Sequence, residues 1–273
     1  MENLNPSING APEFSIFLDS DSPTDVTIEI PGKSYKHAIS LNGKEGVNYK
    51  FPGFGLEPRG SGVTSNLGIH IYSKKPFSAV AVHNRNYFSA TTRLLPNSVI
   101  GRKYMLIAAR DYKYGSPSSM VIVAGIDNTV VDICLNPCGT HGNLTVTLNK
   151  GQTYQYQSPY DLSGTKITAS NPISVFSGAK QAVLESGDDS HIYFAMPPLY
   201  LADTFYVTVP NMALESISYL VLLGTKNKTT AKINSQEITL NEGEKQIIKI
   251  AGPTIIKSSE PIFVGQFNSG IGT

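Results

Sequence analysis

Residues 146–151 read Val146-Thr147-Leu148-Asn149-Lys150-Gly151, which is a β-branched residue, a hydroxyl residue, Leu-Asn and a nearby glycine. The same pattern occurs at 39–43 (Ile39-Ser40-Leu41-Asn42-Gly43) and at 238–243 (Ile238-Thr239-Leu240-Asn241-Glu242-Gly243). Each copy predicts a strand that runs into a turn, because Asn and Gly tolerate left-handed backbone angles. Three copies in a chain of 273 residues indicate an internal repeat.

A proline follows each copy of this pattern farther along the chain. The three segments are Ser73-Lys74-Lys75-Pro76, Ser170-Asn171-Pro172 and Ser259-Glu260-Pro261, and the prolines lie 96 and 89 residues apart. Proline lacks an N–H group, so it fits the first residue of a strand but not its centre. The sequence therefore predicts that one strand ends at each serine and another begins at each proline.

Alternating apolar segments precede each copy, at Val26–Ile30, Thr129–Ile133 and Thr229–Ile233. Alternation with a period of two predicts half-buried strands. Earlier still, the strand that opens each unit is predicted at Phe14–Leu18, Tyr104–Ala108 and Phe205–Val209. These landmarks define a flexible N-terminus at 1–13 and three β units: unit 1 at 14–86, unit 2 at 102–180 and unit 3 at 203–268.

The predicted fold is all-β, with three repeated β-sandwich-like units packed together. Short strands separated by Gly, Pro, Asn, Asp and Ser are typical of sandwiches and barrels. A closed β-propeller with two blades per unit is the alternative, which the strand pattern leaves open. The joints at Thr91–Arg102 and Asp188–Ala202 contain apolar residues, so we expect them to pack against the units.

Unit 1 carries an insertion that the other units lack. Leu41 to Pro76 spans 35 residues, against 24 and 21 for the corresponding segments of units 2 and 3. Within it, Phe51, Phe54 and Arg59 suit a ligand-binding patch, since aromatic residues and Arg dominate interface hot spots. The favoured alternative is that the two phenylalanines cover an open sheet edge, because large apolar side chains are usually buried.

A second candidate contact group combines Arg110 with Tyr112 and Tyr114, which suits protein or sugar contacts. An ordinary hairpin loop is the favoured interpretation of these residues. Asp188, Asp189 and His191 suit a hard cation chemically, but adjacent Asp side chains in a strand point in opposite directions. A solvated turn is therefore the favoured interpretation, and no metal is predicted.

Cysteine and asparagine positions give two further predictions. Cys134 and Cys138 form either a local disulfide or two inert thiols, and a zinc site is disfavoured because only His141 lies nearby. The sequences Asn143-Leu144-Thr145 and Asn227-Lys228-Thr229 are acceptor sites for glycosylation at predicted turns.

Composition and motifs disfavour several functions. The chain has 22 basic and 21 acidic residues, and this balance provides no field that would attract nucleic acid. No apolar run reaches the roughly 18–20 residues that cross a bilayer. We found no nucleophile elbow, phosphate-binding glycine loop or metal-binding helix motif. No catalytic residue and no cofactor are therefore predicted.

Several segments, taken in order, resemble the N-terminal domain of the IgG Fc-binding protein family. They are Asn66–Ile71, Leu95-Pro96 followed by Gly101–Tyr104, Ile126–Val130, Asp161–Ile167, Ser170–Gly178, Met196–Pro198 and Phe205–Val207. Single motifs are loose, but their order and spacing over 14–268 are specific. The chain departs from the family after Gly178, where paired cysteines usually lead into an Asp-His segment, because Ala179–Ser190 has no cysteine.

The resemblance implies a secreted or cell-surface location, since the family occurs in such proteins and its name-giving member binds immunoglobulin Fc. It implies a non-catalytic module for binding or adhesion, whose partner is an extracellular protein or glycoprotein. No direct insertion into a membrane is expected. A carbohydrate-binding module that presents Tyr and Phe to sugars is the alternative function.

Overall fold

The computed structural model describes residues 1, 13–53, 55–85, 88–109, 115–138, 140, 142–182, 190–210 and 217–269. This part of the chain is all-β, which confirms the predicted fold class, and its helical segments are two 3-10 turns at Pro31–Lys33 and Leu199–Leu201. The strands are β1 (Glu13–Asp19), β2 (Thr24–Ile30), β3 (Tyr35–Leu41), β4 (Val47–Lys50), β5 (Val63–Ser65), β6 (His70–Ser73), β7 (Ser78–Arg85), β8 (Phe88–Arg93), β9 (Gly101–Met105), β10 (Ser118–Ala124), β11 (Thr129–Cys134), β12 (Asn143–Leu148), β13 (Thr153–Ser158), β14 (Lys166–Ala182), β15 (Ser190–Ala195), β16 (Asp203–Thr208), β17 (Ile217–Gly224), β18 (Thr229–Ile233), β19 (Gln236–Leu240), β20 (Lys245–Ile250) and β21 (Thr254–Ser269).

Units 2 and 3 pair their strands in the same order. In unit 2 the order is β12-β11-β14-β10-β13, with β9 and β15 also paired to β14. In unit 3 the order is β19-β18-β21-β17-β20, with β16 also paired to β21. A strand that pairs with four others, as β14 does, favours the sandwich over the propeller, which repeats separate four-stranded sheets.

The long strands β14 and β21 each take part in both sheets of their unit. The first part of β14 pairs with β11 and the second part with β10. Ile167 from the first part and Val175 from the second belong to the same buried cluster. In unit 3, Ile256 from the first part of β21 belongs to a buried cluster, and Val264 from the second part packs against that cluster. The core of each unit therefore lies between two facing sheets, as in a sandwich.

Unit 1 follows the same order, but its long strand is interrupted. β2 pairs with β3 and β6, and β1 pairs with β4 and β7, so β6 and β7 together take the place of β14.

The predicted break at Pro76 is present between these two strands. In units 2 and 3 the same prediction was wrong, because β14 and β21 continue through Pro172 and Pro261. Pro172 lies between Ala169, which pairs with β11, and Ile173, which pairs with β10, so its missing N–H removes no ladder bond there.

The opening strand predicted for unit 1 at Phe14–Leu18 is present as β1, but it is not the counterpart of the opening strands of units 2 and 3. By its partners, β1 corresponds to β10 and β17, which are the second strands of their units, and not to β9 and β16. Local alternation identified Phe14–Leu18 as a strand. Which strands of units 2 and 3 it corresponds to depends on long-range pairing, which alternation does not show.

A buried tyrosine fixes the first strand of units 2 and 3 in the same way. The hydroxyl of Tyr104 donates to the carbonyl of Ile173 at 2.5 Å and accepts from the N–H of Gly101. The hydroxyl of Tyr206 donates to Ile262 at 2.7 Å and accepts from the N–H of Asp203. Burial raises the pKa of Tyr104 to about 12, so this hydroxyl keeps its proton at neutral pH. The repeated contacts identify Tyr104 and Tyr206 as equivalent positions.

The joint between units 2 and 3 is mainly apolar. Met105 and Ile107 of unit 2 and Val221, Leu223 and Phe263 of unit 3 are at most 4% exposed and form one cluster. The inward residues of β17 belong to a separate cluster within unit 3. β17 is therefore buried on both faces, once by its own unit and once by unit 2.

Polar contacts surround this apolar joint. The side-chain amide of Asn136 donates to the carbonyls of Ser163 at 3.0 Å and Gly243 at 3.1 Å. Lys166 forms an ion pair with Glu242 at 2.7 Å. The contacts with Gly243 and Glu242 join unit 2 to the turn before β20, so they help to fix the orientation of unit 3 without entering the apolar cluster.

The joint between units 1 and 2 is built from backbone. Strand β5, which lies in the insertion of unit 1, pairs with the outer edge of β13 and thus extends the sheet of unit 2. The N–H of Gly62 donates to the carbonyl of Gln155 and that of Gly68 to Gly151, both at 2.9 Å. Gln155 is fully buried as a result. The insertion therefore acts as a donated strand.

Candidate functional site

The insertion of unit 1 passes from a core contact to the surface before it reaches β5. Phe51 is half-buried against the core of unit 1, and its ring meets Tyr49 edge-on at 5.4 Å between centroids. Leu56 and Glu57 are buried, whereas Arg59 is exposed. Of the predicted patch, Arg59 is therefore on the surface and Phe51 is packed, and Phe54 lies outside the described residues.

The second predicted contact group, Arg110 with Tyr112 and Tyr114, lies outside the described residues, as do Asp188 and Asp189. The structure joins Cys134 and Cys138 by a disulfide that closes the loop after β11. Asn143 and Asn227 are both exposed, and their glycosylation stays a prediction.

Three buried ionisable side chains form a polar chain where units 1 and 2 meet. Glu57 comes from the insertion, His83 from β7 and His191 from β15. The carboxylate of Glu57 lies 2.9 Å from Nε2 of His83, and Nδ1 of His83 lies 3.1 Å from Nε2 of His191. Nδ1 of His191 lies 3.0 Å from the carbonyl oxygen of Ala179. All three side chains are at most 3% exposed, so each needs its partners.

The partners determine where the protons lie. Nδ1 of His191 faces a carbonyl, which only accepts, so this nitrogen carries a proton. Burial, then the charges of His83 and of the amino terminus, hold the pKa of His191 well below its usual range, so the ring is neutral and its Nε2 accepts. Nδ1 of His83 must then donate. One further proton is shared between His83 and Glu57, and the chain as a whole has no net charge, which lowers the cost of burying it.

This polar chain connects segments that are distant in the sequence. Both nitrogens of both rings are engaged by the contacts above. The chain joins the insertion and β7 of unit 1 to β15 of unit 2. We call it the Glu57–His83–His191 chain.

Sequence reasoning missed this chain because its members are far apart in the sequence. One local signal was available: in β7, alternation places His83 on the same inward face as Ala79 and Ala81. An imidazole on an inward face requires a polar partner. No pattern in the sequence indicates which partner that is.

An apolar cleft of about 490 Å³ lies beside this chain, between units 1 and 2. Its walls include Ile16 and Phe77 from unit 1, Val121 and Phe176 from unit 2, and Leu95 from the joint. Largely apolar clefts with a few polar groups are the usual form of binding sites.

Two aromatic rings separate the cleft from the polar chain. The ring of Phe14 stacks on His83 at 4.0 Å between centroids, and Tyr193 stacks on His191 at 6.3 Å. Both rings also line the cleft. A ligand in the cleft would therefore contact the aromatic cover and not the imidazoles themselves.

The outer face of β6 provides polar and aromatic groups at the edge of the cleft. His70 and Tyr72 line it, and their rings stack at 4.9 Å. The hydroxyl of Tyr72 donates to Glu29 at 2.7 Å, and Lys36 pairs with the same carboxylate at 2.7 Å. Hydrogen bonds from Lys36 and Tyr72 hold the pKa of Glu29 at about 2, so it is ionised at neutral pH. Arg93 is exposed at another edge of the cleft.

Two kinds of site are absent from the residues that the structure describes. No group of three or more His, Cys, Asp or Glu side chains there is arranged to hold a metal ion. Among the same residues, no helix has the length and apolar character to cross a membrane.

Comparison with known proteins places the chain in a family. The family model described as IgGFc binding protein matches residues 89–272, which is more than half of the chain. The chain belongs to the IgGFc binding protein family. The match begins in β8, so it covers units 2 and 3 and leaves most of unit 1 outside.

A curated member of the IgGFc binding protein family, the human IgGFc-binding protein, is 26% identical over 240 residues. That alignment covers 85% of this chain and 4% of the human protein, so the chain spans a small part of its relative's length. Among solved structures, a 1.5-MDa bacterial ice-binding adhesin aligns over 96% of this chain and 90% of its own, at 11% identity and a TM-score of 0.16. A TM-score this low does not indicate a shared fold.

Proposed function

We propose that the chain is a non-catalytic extracellular binding module whose ligand is a protein, with the Fc region of immunoglobulin as the first candidate. The observation that carries this proposal is membership of the IgGFc binding protein family. Three features agree with it: repeated β units, a near-neutral charge and an apolar cleft between units 1 and 2. Adhesion to an extracellular or mucus glycoprotein would use the same kind of surface.

We place the ligand site at the cleft between units 1 and 2. The cleft supplies an apolar floor, and Tyr72 and Arg93 supply exposed groups at its edge. Tyr and Arg are enriched among the residues that dominate binding energy in protein interfaces. A side chain or loop tip of a protein ligand is of suitable size for a cleft of about 490 Å³.

Binding of purified Fc to the immobilised chain, measured by surface plasmon resonance, tests ligand and location separately. We expect Tyr72→Ala and Arg93→Ala each to weaken binding about tenfold, as the loss of a hot spot does. Tyr160→Ala is the control, because Tyr160 is 62% exposed and lies away from the cleft. No binding by the unmodified chain would exclude Fc as the ligand. Binding that neither variant changes would exclude the cleft.

A carbohydrate-binding function is the second candidate, and the stacked pair His70 and Tyr72 favours it. The two rings stack at 4.9 Å between centroids, beside the carboxylate of Glu29 and the amine of Lys36. Aromatic faces flanked by hydrogen-bonding groups suit sugar rings. A glycan array probed with the unmodified chain and with Tyr72→Ala separates the two candidates. If the chain binds sugars at this site, the unmodified chain gives a signal and Tyr72→Ala does not.

A further inference from the structure

Unit 3 exposes a row of apolar side chains on one face. Phe205, Val207 and Val209 are 51%, 61% and 57% exposed, and Ile255 is 46% exposed. Val207 and Ile255 are directly paired across β16 and β21, so these side chains form one contiguous patch. Patches of this kind usually mark an interaction surface. We call these four residues the unit 3 face.

The equivalent positions of unit 2 are buried by unit 3. Tyr104 and Tyr206 are equivalent, so Met105 corresponds to Val207 and Ile107 to Val209. Met105 and Ile107 are 1% and 4% exposed, because they belong to the cluster that joins units 2 and 3. The approach is close, since a Cβ on Gly265 of unit 3 would lie 3.4 Å from the side chain of Ile107.

Unit 3 has an apolar residue at the position where unit 2 has the polar residue at the edge of the joint between units 2 and 3. Lys166 pairs with Met105 across the strands of unit 2, and it forms the ion pair with Glu242 of unit 3. Ile255 holds the corresponding place in unit 3, opposite Val207. The unit 3 face is therefore the same surface that unit 2 uses to hold its neighbour, and it is more apolar.

Unit 1 exposes the complementary surface. Leu18 of β1 and Leu222 of β17 are equivalent inward residues. Each lies in a strand that pairs on one side with the long strand of its unit, or its replacement β7, and on the other side with β4 in unit 1 or β20 in unit 3. The preceding residue points to the outer face in both units. Val221 is fully buried there against unit 2, whereas Phe17 is 42% exposed. Phe17 is paired across the strands with Val80, which is half-buried and shares that outer face.

We propose that the unit 3 face of one copy of this chain docks on the outer face of unit 1 of a second copy, around Phe17 and Val80. This contact between two molecules has the same geometry as the joint between units 2 and 3 within one molecule. The two surfaces are different, so the association is head to tail and extends to a third copy or closes into a ring. This proposal does not rest on the ligand proposed above, although Arg93, which pairs with Val80 across β7 and β8, lies on the same outer face of unit 1.

Sedimentation velocity over a range of concentrations tests the proposal. We expect the average mass of the unmodified chain to rise with concentration up to about 0.5 mM, where a contact with a Kd of about 100 µM is well populated. Val207→Asp and Phe17→Asp should each abolish the rise, because each places a charge in an apolar contact. When the two variants are mixed, one intact surface remains on each, and a heterodimer should form that grows no further.

Val130→Asp is the matched control, because Val130 is an exposed strand residue of unit 2 outside both surfaces. It should associate like the unmodified chain. Val209→Asp and Phe17→Ser serve as replacements if circular dichroism shows that a first variant is unfolded. A single monomeric species at all concentrations would overturn the proposal. So would variants that still associate, or a mixture that stays monomeric.

Discussion

The joint between units 1 and 2 and the joint between units 2 and 3 connect similar folds by different means. The first uses the donated strand β5 and the buried Glu57–His83–His191 chain. The second uses an apolar cluster with polar contacts at its edge. Burial of apolar groups does not depend on pH, whereas a buried ionisable chain does. The two joints should therefore respond differently to substitution and to acid.

The largest effect is expected from removing the carboxylate of the first joint. Glu57→Ala leaves His83 buried without its acceptor, and breaking a buried charged pair in this way costs about 3–5 kcal/mol. Equilibrium unfolding in urea would measure the loss. Glu57→Gln is the matched control, because its carbonyl still accepts from Nε2 of His83 and the loss should be smaller. A loss no greater than that of the exposed Val130→Ala would contradict the assigned role.

A substitution in the second joint should have the next largest effect. Ile107→Ala removes buried methylene groups from the cluster between units 2 and 3 and should lower the free energy of unfolding by about 2–5 kcal/mol. Val130→Ala, at a position 38% exposed, should change it by less than about 0.5 kcal/mol. The loss at Ile107 should be the same at pH 7.5 and pH 5.5. A strong dependence on pH would show that the apolar description of this joint is wrong.

Acid should weaken the first joint selectively. The pKa of His191 is lower in the folded chain than in the unfolded chain, so the unfolded state takes up more protons as pH falls below about 6.5. The stabilisation is present above that pH and is lost below it, by up to about 1.4 kcal/mol per pH unit. The charged and titratable groups around this ring are His83, the amino terminus and Tyr193, with Glu57 bound to His83 and Arg59 paired to Glu57.

Hydrogen exchange, corrected for the intrinsic rate at each pH, would measure this effect. Amides of β5 and β7 should lose protection between pH 7 and pH 5.5, while those of β17 should keep theirs. His191→Gln removes the titrating ring and should flatten the pH dependence of β5 and β7. Equal loss of protection at both joints would argue against a selective response.

The smallest effect is expected from the ion pair at the edge of the second joint. Lys166 and Glu242 are each 38% exposed, and pairs of this kind contribute about 0–1 kcal/mol. A double-mutant cycle with Lys166→Ala and Glu242→Ala should give a coupling in that range, reduced further by 0.5 M salt. A coupling above about 2 kcal/mol would mean that polar contacts also dominate the second joint.

Strand content followed from local patterns in the sequence. Alternation at Thr129–Ile133 and Thr229–Ile233 predicted β11 and β18 within one residue, because one face of each strand is buried in its own unit. The breaks predicted at Pro172 and Pro261 were wrong, since local pattern does not record that the partners of a long strand change at those prolines.

The candidate site was much harder to predict. The insertion was recognised by its length, but nothing in Val63–Ser65 indicates that it pairs with a strand about ninety residues later. Glu57, His83 and His191 come from three distant segments, so only the folded chain brings them together. The unit 3 face was predicted as a strand, but its exposure depends on which unit has a neighbour.

The donated strand has a practical consequence for anyone who trims this protein to the region matched by the family model, which starts at residue 89. Such a fragment would lack Gly60–Ser65 and would uncover the outer edge of β13, where Gln155 is fully buried in the whole chain. Bare strand edges recruit other strands and promote aggregation. Expression boundaries should therefore begin before β1, so that β5 still covers the edge of β13.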